Sequence, residues 1–243
     1  MLGEPDLGFG YFGRMDVTTS DAQEKPSMAL PSRQPPATPR GARTRAALIS
    51  AARTVFERDG YLDSRLADIT KEARCATGSF YTYFANKEEI FAAVLEQAQE
   101  DMMHPGMGRV NNADDPYAVL EASNRAYLEA YRRNAKLMAL LEQVSHVDPE
   151  FSRFRMRRAD AFVRRNARGI ADLQARGIAD GDIDPLLASQ ALSGMVSRLA
   201  YSVFTPGTGE TADSEPVEFE TLVSTVTRLW ANALRFTRPA DGR

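Results

Sequence analysis

From Arg43 onward, apolar and polar positions follow one another with a helical period. Leu48, Ile49, Ala52, Val55 and Phe56 recur at that spacing until Asp59 and Gly60 stop the run, which predicts a first helix. Ser64 is placed to cap a second helix whose inward stripe is Leu66, Ile69, Thr70 and Ala73. A third, short helix follows over residues 77–83. Phe80 and Phe84, four apart, face the core and leave Thr77, Ser79, Thr82 and Tyr83 outward. Asn86 can cap a fourth helix, with Glu88 and Glu89 favoured in its first turn and Ile90, Phe91, Val94, Leu95 and Ala98 inward. It is expected to end near Met103, before His104, Pro105 and Gly106. Beyond Pro116, amphipathic segments span about residues 116–133, 135–146, 149–178, 184–204 and 216–237. No period-two alternation competes, so the predicted fold is all-α, with nine helices in two domains.

The last predicted helix has the longest apolar seam, through Phe219, Leu222, Val226, Leu229, Ala233 and Phe236, widened by Val223, Trp230 and Leu234. The segment before it is similarly apolar. Leu192, Met195, Leu199 and Val203 on one helix, with Leu222, Val226, Leu229, Trp230 and Ala233 on the other, are therefore expected to pack against a second copy as an intermolecular four-helix bundle. The plainer alternative is that both are core helices of a monomer.

Composition changes this picture in two places. The net charge of −3 disfavours a nucleic-acid partner, but its distribution does not. Residues 40–87 carry nine basic against five acidic side chains, so that segment is +4 and the remainder −7. Such asymmetry suits an electropositive reading head on an acidic body. Residues 1–40, punctuated by Pro31, Pro35, Pro36 and Pro39, read as a disordered leader. A single cysteine, Cys75, excludes an intrachain disulfide and reads as a small buried side chain more readily than as a redox sensor. His104 and His146 have no Cys/His cluster around them, so no metal and no cofactor are expected. No apolar run reaches membrane-spanning length, and no secretory signal pattern opens the chain, so a cytoplasmic location with no membrane partner is expected.

Two short helices joined by a tight turn, the second rich in small polar and aromatic residues, satisfy the requirements of a helix-turn-helix over residues 64–84. Asp59-Gly60-Tyr61, Ala67-Asp68-Ile69-Thr70, Gly78-Ser79-Phe80-Tyr81-Thr82-Tyr83-Phe84 and Lys87-Glu88-Glu89 together resemble, in register, the signature of the TetR (tetracycline-repressor-like) family. The resemblance runs without gaps over about residues 44–95. It implies a DNA-binding domain over residues 41–88 and a ligand-binding and dimerisation domain over residues 89–243. It also implies backbone or groove-edge contacts at Arg43, Thr44, Arg45, Ser64 and Arg65, base and phosphate contacts at Thr77, Gly78, Ser79, Thr82 and Tyr83, and phosphate clamps at Tyr81 and Lys87. Hydroxyls, helix N-terminal amides and basic side chains are the groups that phosphates select. Two positions depart from the family pattern. Arg74 stands where a turn glycine is usual, and Ala76 where a Ser or Thr cap is usual.

By the same resemblance, the chain is a ligand-responsive repressor that holds a palindromic double-stranded operator as a homodimer and is released by a small apolar or acyl-type effector. Candidate walls for that effector are Tyr127, Leu128, Tyr131, Met138, Leu141, Phe154, Phe162 and Met195, an aromatic and Met set that equally suits plain core. Residues 149–178 are rich in arginine, most of which read as a solvated face; the alternative gives an anionic group of the effector, such as the phosphates of an acyl-coenzyme A, to one or two of them. Two other function classes compete: a dimeric small-molecule-binding module without DNA binding, and a helical enzyme. The second lacks any catalytic Ser/His/Asp or Cys/His set and any Gly-rich phosphate loop.

Overall fold

The computed structural model describes residues 36, 38–105, 115–205 and 216–236. Most of the expected leader therefore lies outside the described residues, as do parts of the connections after residues 105 and 205. The described residues form eight α-helices and no strand: α1 (Pro39–Asp59), α2 (Leu66–Glu72), α3 (Thr77–Tyr83), α4 (Lys87–Met103), α5 (Pro116–Ser145), α6 (Pro149–Ala175), α7 (Pro185–Phe204) and α8 (Phe219–Ala233).

The all-α expectation holds, and the count of nine is corrected to eight. The two segments expected at 116–133 and 135–146 are one continuous helix, α5. Asn134, the residue between them, is a poor helix former, yet here it is buried and engaged. Its Nδ2 donates to Ala130 O, one turn back, and to Asp101 Oδ2, both at 2.8 Å, so the side chain has no reason to compete with the helical backbone. The leader was also drawn too long at its end. Thr38 caps α1 by accepting from the Gly41 N–H at 3.1 Å, and Pro39 opens the helix with its φ already suited to the first turn.

Two compact units divide the chain, and α4, α5 and α6 each contribute residues to both. In one unit, which among the described residues comprises 36, 38–100 and 136–157, the expected stripes of α1 and α4 are buried: Leu48, Ile49, Ala52, Val55 and Phe56 with Ile90, Phe91, Val94, Leu95 and Ala98. Its centre is aromatic. Phe91 lies 5.0 Å from Phe56, 4.6 Å from Tyr61 and 5.2 Å from Phe151 between ring centroids. Arrangements at these separations add to the area the rings bury.

The other unit comprises, among the described residues, 101–105, 115–135, 158–205 and 216–236. In it α8 buries Leu222, Val223, Val226, Thr227, Trp230 and Ala231. That face is rotated from the expected seam, leaving Leu229 and Ala233 in solvent. Thr227 makes the rotation possible, because its hydroxyl donates to Val223 O at 2.8 Å and accepts from Asn124 Nδ2 at 3.1 Å. A buried hydroxyl satisfied in this way loses the penalty that a hydropathy pattern assigns to it. None of the helices among the described residues is long and apolar enough to cross a membrane.

Candidate nucleic-acid interface

The candidate head is built within the first of these units, and its geometry starts from α1. Gly60, with φ of +79°, ends that helix, and the turn beyond it is held from the far side by Lys87. The Lys87 Nζ donates to Tyr61 O at 2.8 Å, Ser64 O at 3.1 Å and Leu62 O at 3.3 Å, and lies 4.6 Å from the centre of the Tyr61 ring. An ammonium has three donors, and all three are committed to this turn. Tyr61 OH donates in turn to Glu88 Oε1 at 3.2 Å; burial, with the Glu88 carboxylate beside it, pushes the Tyr61 phenol well above its ordinary pKa.

Between α2 and α3 the chain reverses through a Schellman arrangement. The Cys75 N–H donates to Thr70 O at 3.0 Å and the Arg74 N–H to Lys71 O at 3.1 Å, with Arg74 at φ of +53°. The expected left-handed turn residue is thus a real one, and it is an arginine. Ala76 is the N-cap of α3 and makes no side-chain capping bond, so Thr77 stands inside the helix as its first residue. Burial pushes the Cys75 thiol upward, away from a reactive thiolate. Asn86 caps α4 as expected, its Oδ1 accepting from the Glu89 N–H at 2.8 Å, while Glu89 Oε2 accepts from the Ala85 N–H at 2.5 Å.

Fully buried Phe80 and Phe84 anchor α3, their rings 5.7 Å apart. The helix is pinned by its underside, and its other face holds the expected reading residues. Thr77, Gly78, Tyr81 and Thr82 are exposed, and Ser79 and Tyr83 half-buried. Tyr81 rests edge-on against Phe80 at 5.5 Å, which orients the phenol without burying it. The Thr82 hydroxyl reaches back to Gly78 O at 3.5 Å. Gly78 has open space where a Cβ would stand. At the start of α1, Arg43 is exposed, the Thr44 hydroxyl donates to Arg40 O at 3.1 Å, and the Arg45 guanidinium lies 5.1 Å from the Phe84 ring centre. Arg65, exposed, is the N-cap residue of α2.

Two expected contact residues are placed differently. Ser64 does not cap α2: it is buried, and its Oγ donates to Tyr61 O at 2.8 Å. Lys87 is committed as described above. Both serve the turn between α1 and α2. Sequence spacing missed this because a serine before a helix and a lysine after a recognition helix look the same whether they face solvent or a carbonyl.

Sequence reasoning also missed Gly41, buried at the start of α1. A Cβ there would come within 2.9 Å of Pro36 Cβ and 3.2 Å of Thr38 Oγ1, so glycine lets the chain before α1 fold close over the helix start, while Tyr83 OH, at 3.5 Å, would be in ordinary contact. No nearby signal in the sequence marks it.

Charge is distributed to the same effect. Glu57 pairs with Arg53 at 2.9 Å, while Asp59 and Glu72 pair with Arg58 at 2.7 and 3.8 Å. Three of the five acidic side chains of the head are thereby neutralised by two of its arginines.

The sequence profile described as "Bacterial regulatory proteins, tetR family" matches residues 48–94, which span α2, α3 and the flanking halves of α1 and α4. Over those residues the chain carries a TetR-family DNA-binding domain. Among relatives of the TetR-family regulator, a Bacillus subtilis HTH-type transcriptional regulator, YfiR, is 28% identical over 149 residues, covering 58% of this chain and 68% of that one. The HTH-type transcriptional regulator HbdR from Aromatoleum sp. is 32% identical over 104 residues, and this match spans 38% of this chain and under half, 45%, of HbdR. In fold, a TetR-family transcriptional regulator from Rhodococcus sp. superposes with a TM-score of 0.64 at 17% identity, over 79% of this chain and 99% of its own. The TetR-family regulator is a helix-turn-helix, DNA-binding transcriptional regulator.

The expected effector-pocket and dimer residues fall as follows. Tyr127, Leu128, Tyr131, Phe162 and Met195 belong to one compact unit and Met138, Leu141 and Phe154 to the other, and all except Phe162 and Met195 are buried. Of the residues expected at a dimer contact, Leu222, Val226 and Trp230 are already buried within the protomer, so they have no surface to give a second copy. Leu192, Met195, Leu199 and Val203 are half-exposed, and Leu229 and Ala233 exposed.

Proposed function

We propose that this TetR-family regulator is a repressor that binds a palindromic operator as a homodimer and is released by a small effector held in residues 89–243. Residues 41–88 form the reading head in this proposal, with α3 in the major groove. Thr77, Gly78, Ser79, Tyr81, Thr82 and Tyr83 face the duplex, Arg43, Thr44, Arg45 and Arg65 face its backbone, and Ser64 and Lys87 hold the turn that sets α2. The observation that carries this is α3 itself: a short helix fastened from below by two buried phenylalanines, with hydroxyls and a bare glycine on the side away from the core. A core helix would present apolar groups on both sides. Work on an operator places the protein in the cytoplasm.

Dimer contacts in this reading come from Leu192, Met195, Leu199 and Val203 of α7 and from Leu229 and Ala233 of α8, the apolar positions that the protomer leaves uncovered. A two-fold pair can hold two recognition helices near one turn of DNA apart, roughly 34 Å. The effector needs to change operator affinity by only ~1 to 3 kcal/mol in coupling free energy to act as a switch.

Fluorescence anisotropy on a labelled fragment from upstream of the regulator's own gene tests the proposal, at low salt and again across a salt series. Specific binding should fall linearly on a log–log plot as salt rises, and Arg43→Ala should flatten that slope by about one ion. Failure to bind the fragment above the level seen with unrelated DNA would overturn the reading.

A further inference from the structure

Arg158 of α6, read from the sequence as part of a solvated arginine face, is half-buried, with its Nε enclosed. Its Nη2 points at Met102 Sδ at 2.9 Å, its guanidinium carbon lies 5.5 Å from the centre of the Phe162 ring, and its Nε is buried without a hydrogen-bond partner among the described residues. A thioether and a ring face are weak partners for a fixed charge. Among the described residues, the groups that act on its charge are the phenols of buried Tyr127 and Tyr131, with no carboxylate among them, and burial pushes the guanidinium below its ordinary pKa. The rings form a connected wall, with Tyr127 at 5.7 Å from Phe162 and 6.0 Å from Tyr131. About two turns further along α6, Arg165 donates to the carbonyl of Met103, closing the C-terminal turn of α4 in the way basic side chains commonly do. Arg158 has no such task. A charge withdrawn from water without an opposite charge is costly, and such groups are normally paired.

We infer that Arg158 is the anchor for the anionic group of an organic carboxylate whose apolar body lies against Tyr127, Tyr131 and Phe162. This rests on the effector-binding reading above and gives that effector a chemical class. The guanidinium fork matches a carboxylate in two parallel bonds, and the aromatic wall excludes a fully hydrated ion such as free phosphate. The sequence did carry a signal: Arg158 stands four residues from both Phe154 and Phe162, on the apolar stripe of α6 and off its basic face.

A matched pair of fluorescent probes tests the inference on the full-length protein: 1-anilinonaphthalene-8-sulfonate, and N-phenyl-1-naphthylamine, which has the same aromatic body without the charge. Wild type should bind the anionic probe, and Arg158→Met should weaken it by at least about tenfold, the loss typical of a bond to a charged group, while binding of the neutral probe stays unchanged. Octanoate should displace the anionic probe, and inorganic phosphate at the same concentration should not. Arg158→Lys keeps a charge but loses the fork, and should show an intermediate loss; it serves in place of the Met variant should that one fail to fold. If both probes bind wild type and variants equally, or phosphate displaces the anionic probe and octanoate does not, the role of Arg158 is overturned and an apolar effector site survives. If neither probe binds wild type, the inference and the effector reading fall together.

Discussion

At the scale of single residues, Arg74 and Gly78 separate what the head needs to fold from what it needs to read. Arg74 holds a left-handed conformation that costs a side-chain-bearing residue roughly 1 kcal/mol or more, while the Schellman bonds close through the backbone N–H groups of Arg74 and Cys75, without its side chain. Arg74→Gly is therefore expected to raise the free energy of unfolding by about 1 kcal/mol, measured by urea titration. Operator affinity should change only by the loss of one exposed cation. Gly78 gives the opposite result. Its Cβ position is open, so Gly78→Ala should stabilise α3 by about 0.8–1.0 kcal/mol on helix propensity. If the helix backbone approaches the duplex at this point, the same methyl should cost operator affinity, and a variant both more stable and tighter-binding would remove Gly78 from the interface. Lys87→Met should lower stability, because three carbonyls of the α1–α2 turn lose their donor together. Its effect on DNA should follow from that loss, and disappear when binding is corrected for the folded fraction.

Among the helices, the sequence was legible wherever one residue could be judged by its own period and its own cap. The inward stripes of α1 and α4, the short α3 with its two phenylalanines, and the Asn86 cap all stand where spacing placed them, because each depends on neighbours within one or two turns. Readings failed where a distant partner decides. Asn134 looked like a helix boundary until Asp101 supplied its hydrogen bond, and Thr227 was left off the apolar seam, although Asn124 satisfies its hydroxyl in the core. Ser64, Lys87 and Arg158 were assigned to solvent or DNA by residue type, and each is turned inward by contacts more than one helix away in the chain, except for the short Ser64 loop. The α5–α8 pairing offers an element-scale test. Arg125 grips Glu220 through two bonds of 2.6 Å and holds that carboxyl below its usual pKa. A depressed carboxylate contributes stability above its unfolded pKa and loses it as pH falls through its folded one. Wild type should therefore exceed Glu220→Gln modestly at neutral pH, less so in high salt. The two melting curves should converge once the pH drops below the carboxylate range; a gap that persists in acid would mean the pair is not its source.

For the whole molecule, the uncovered apolar positions Leu229 and Ala233 on α8 make Leu229→Glu the direct check on self-association. Sedimentation should show a dimer for wild type and a monomer with unchanged helicity for the variant, and an unshifted dimer would move the contact elsewhere. The unit that houses the head is also discontinuous: residues 136–157 return to it after the chain has left at residue 100. Phe151, from that returning stretch, lies 5.2 Å from Phe91 and 6.1 Å from Tyr61, so the aromatic centre of this unit is finished by residues far downstream. A fragment ending near residue 105 should unfold less cooperatively than the full chain, and a separate peptide of residues 136–157 should partly restore it. The consequence reaches protein engineering: cutting after the fourth helix leaves this aromatic centre without Phe151. A chimera that grafts this specificity onto another sensor has to import the α5–α6 bend along with the first hundred residues, or supply a phenylalanine of its own to fill the gap.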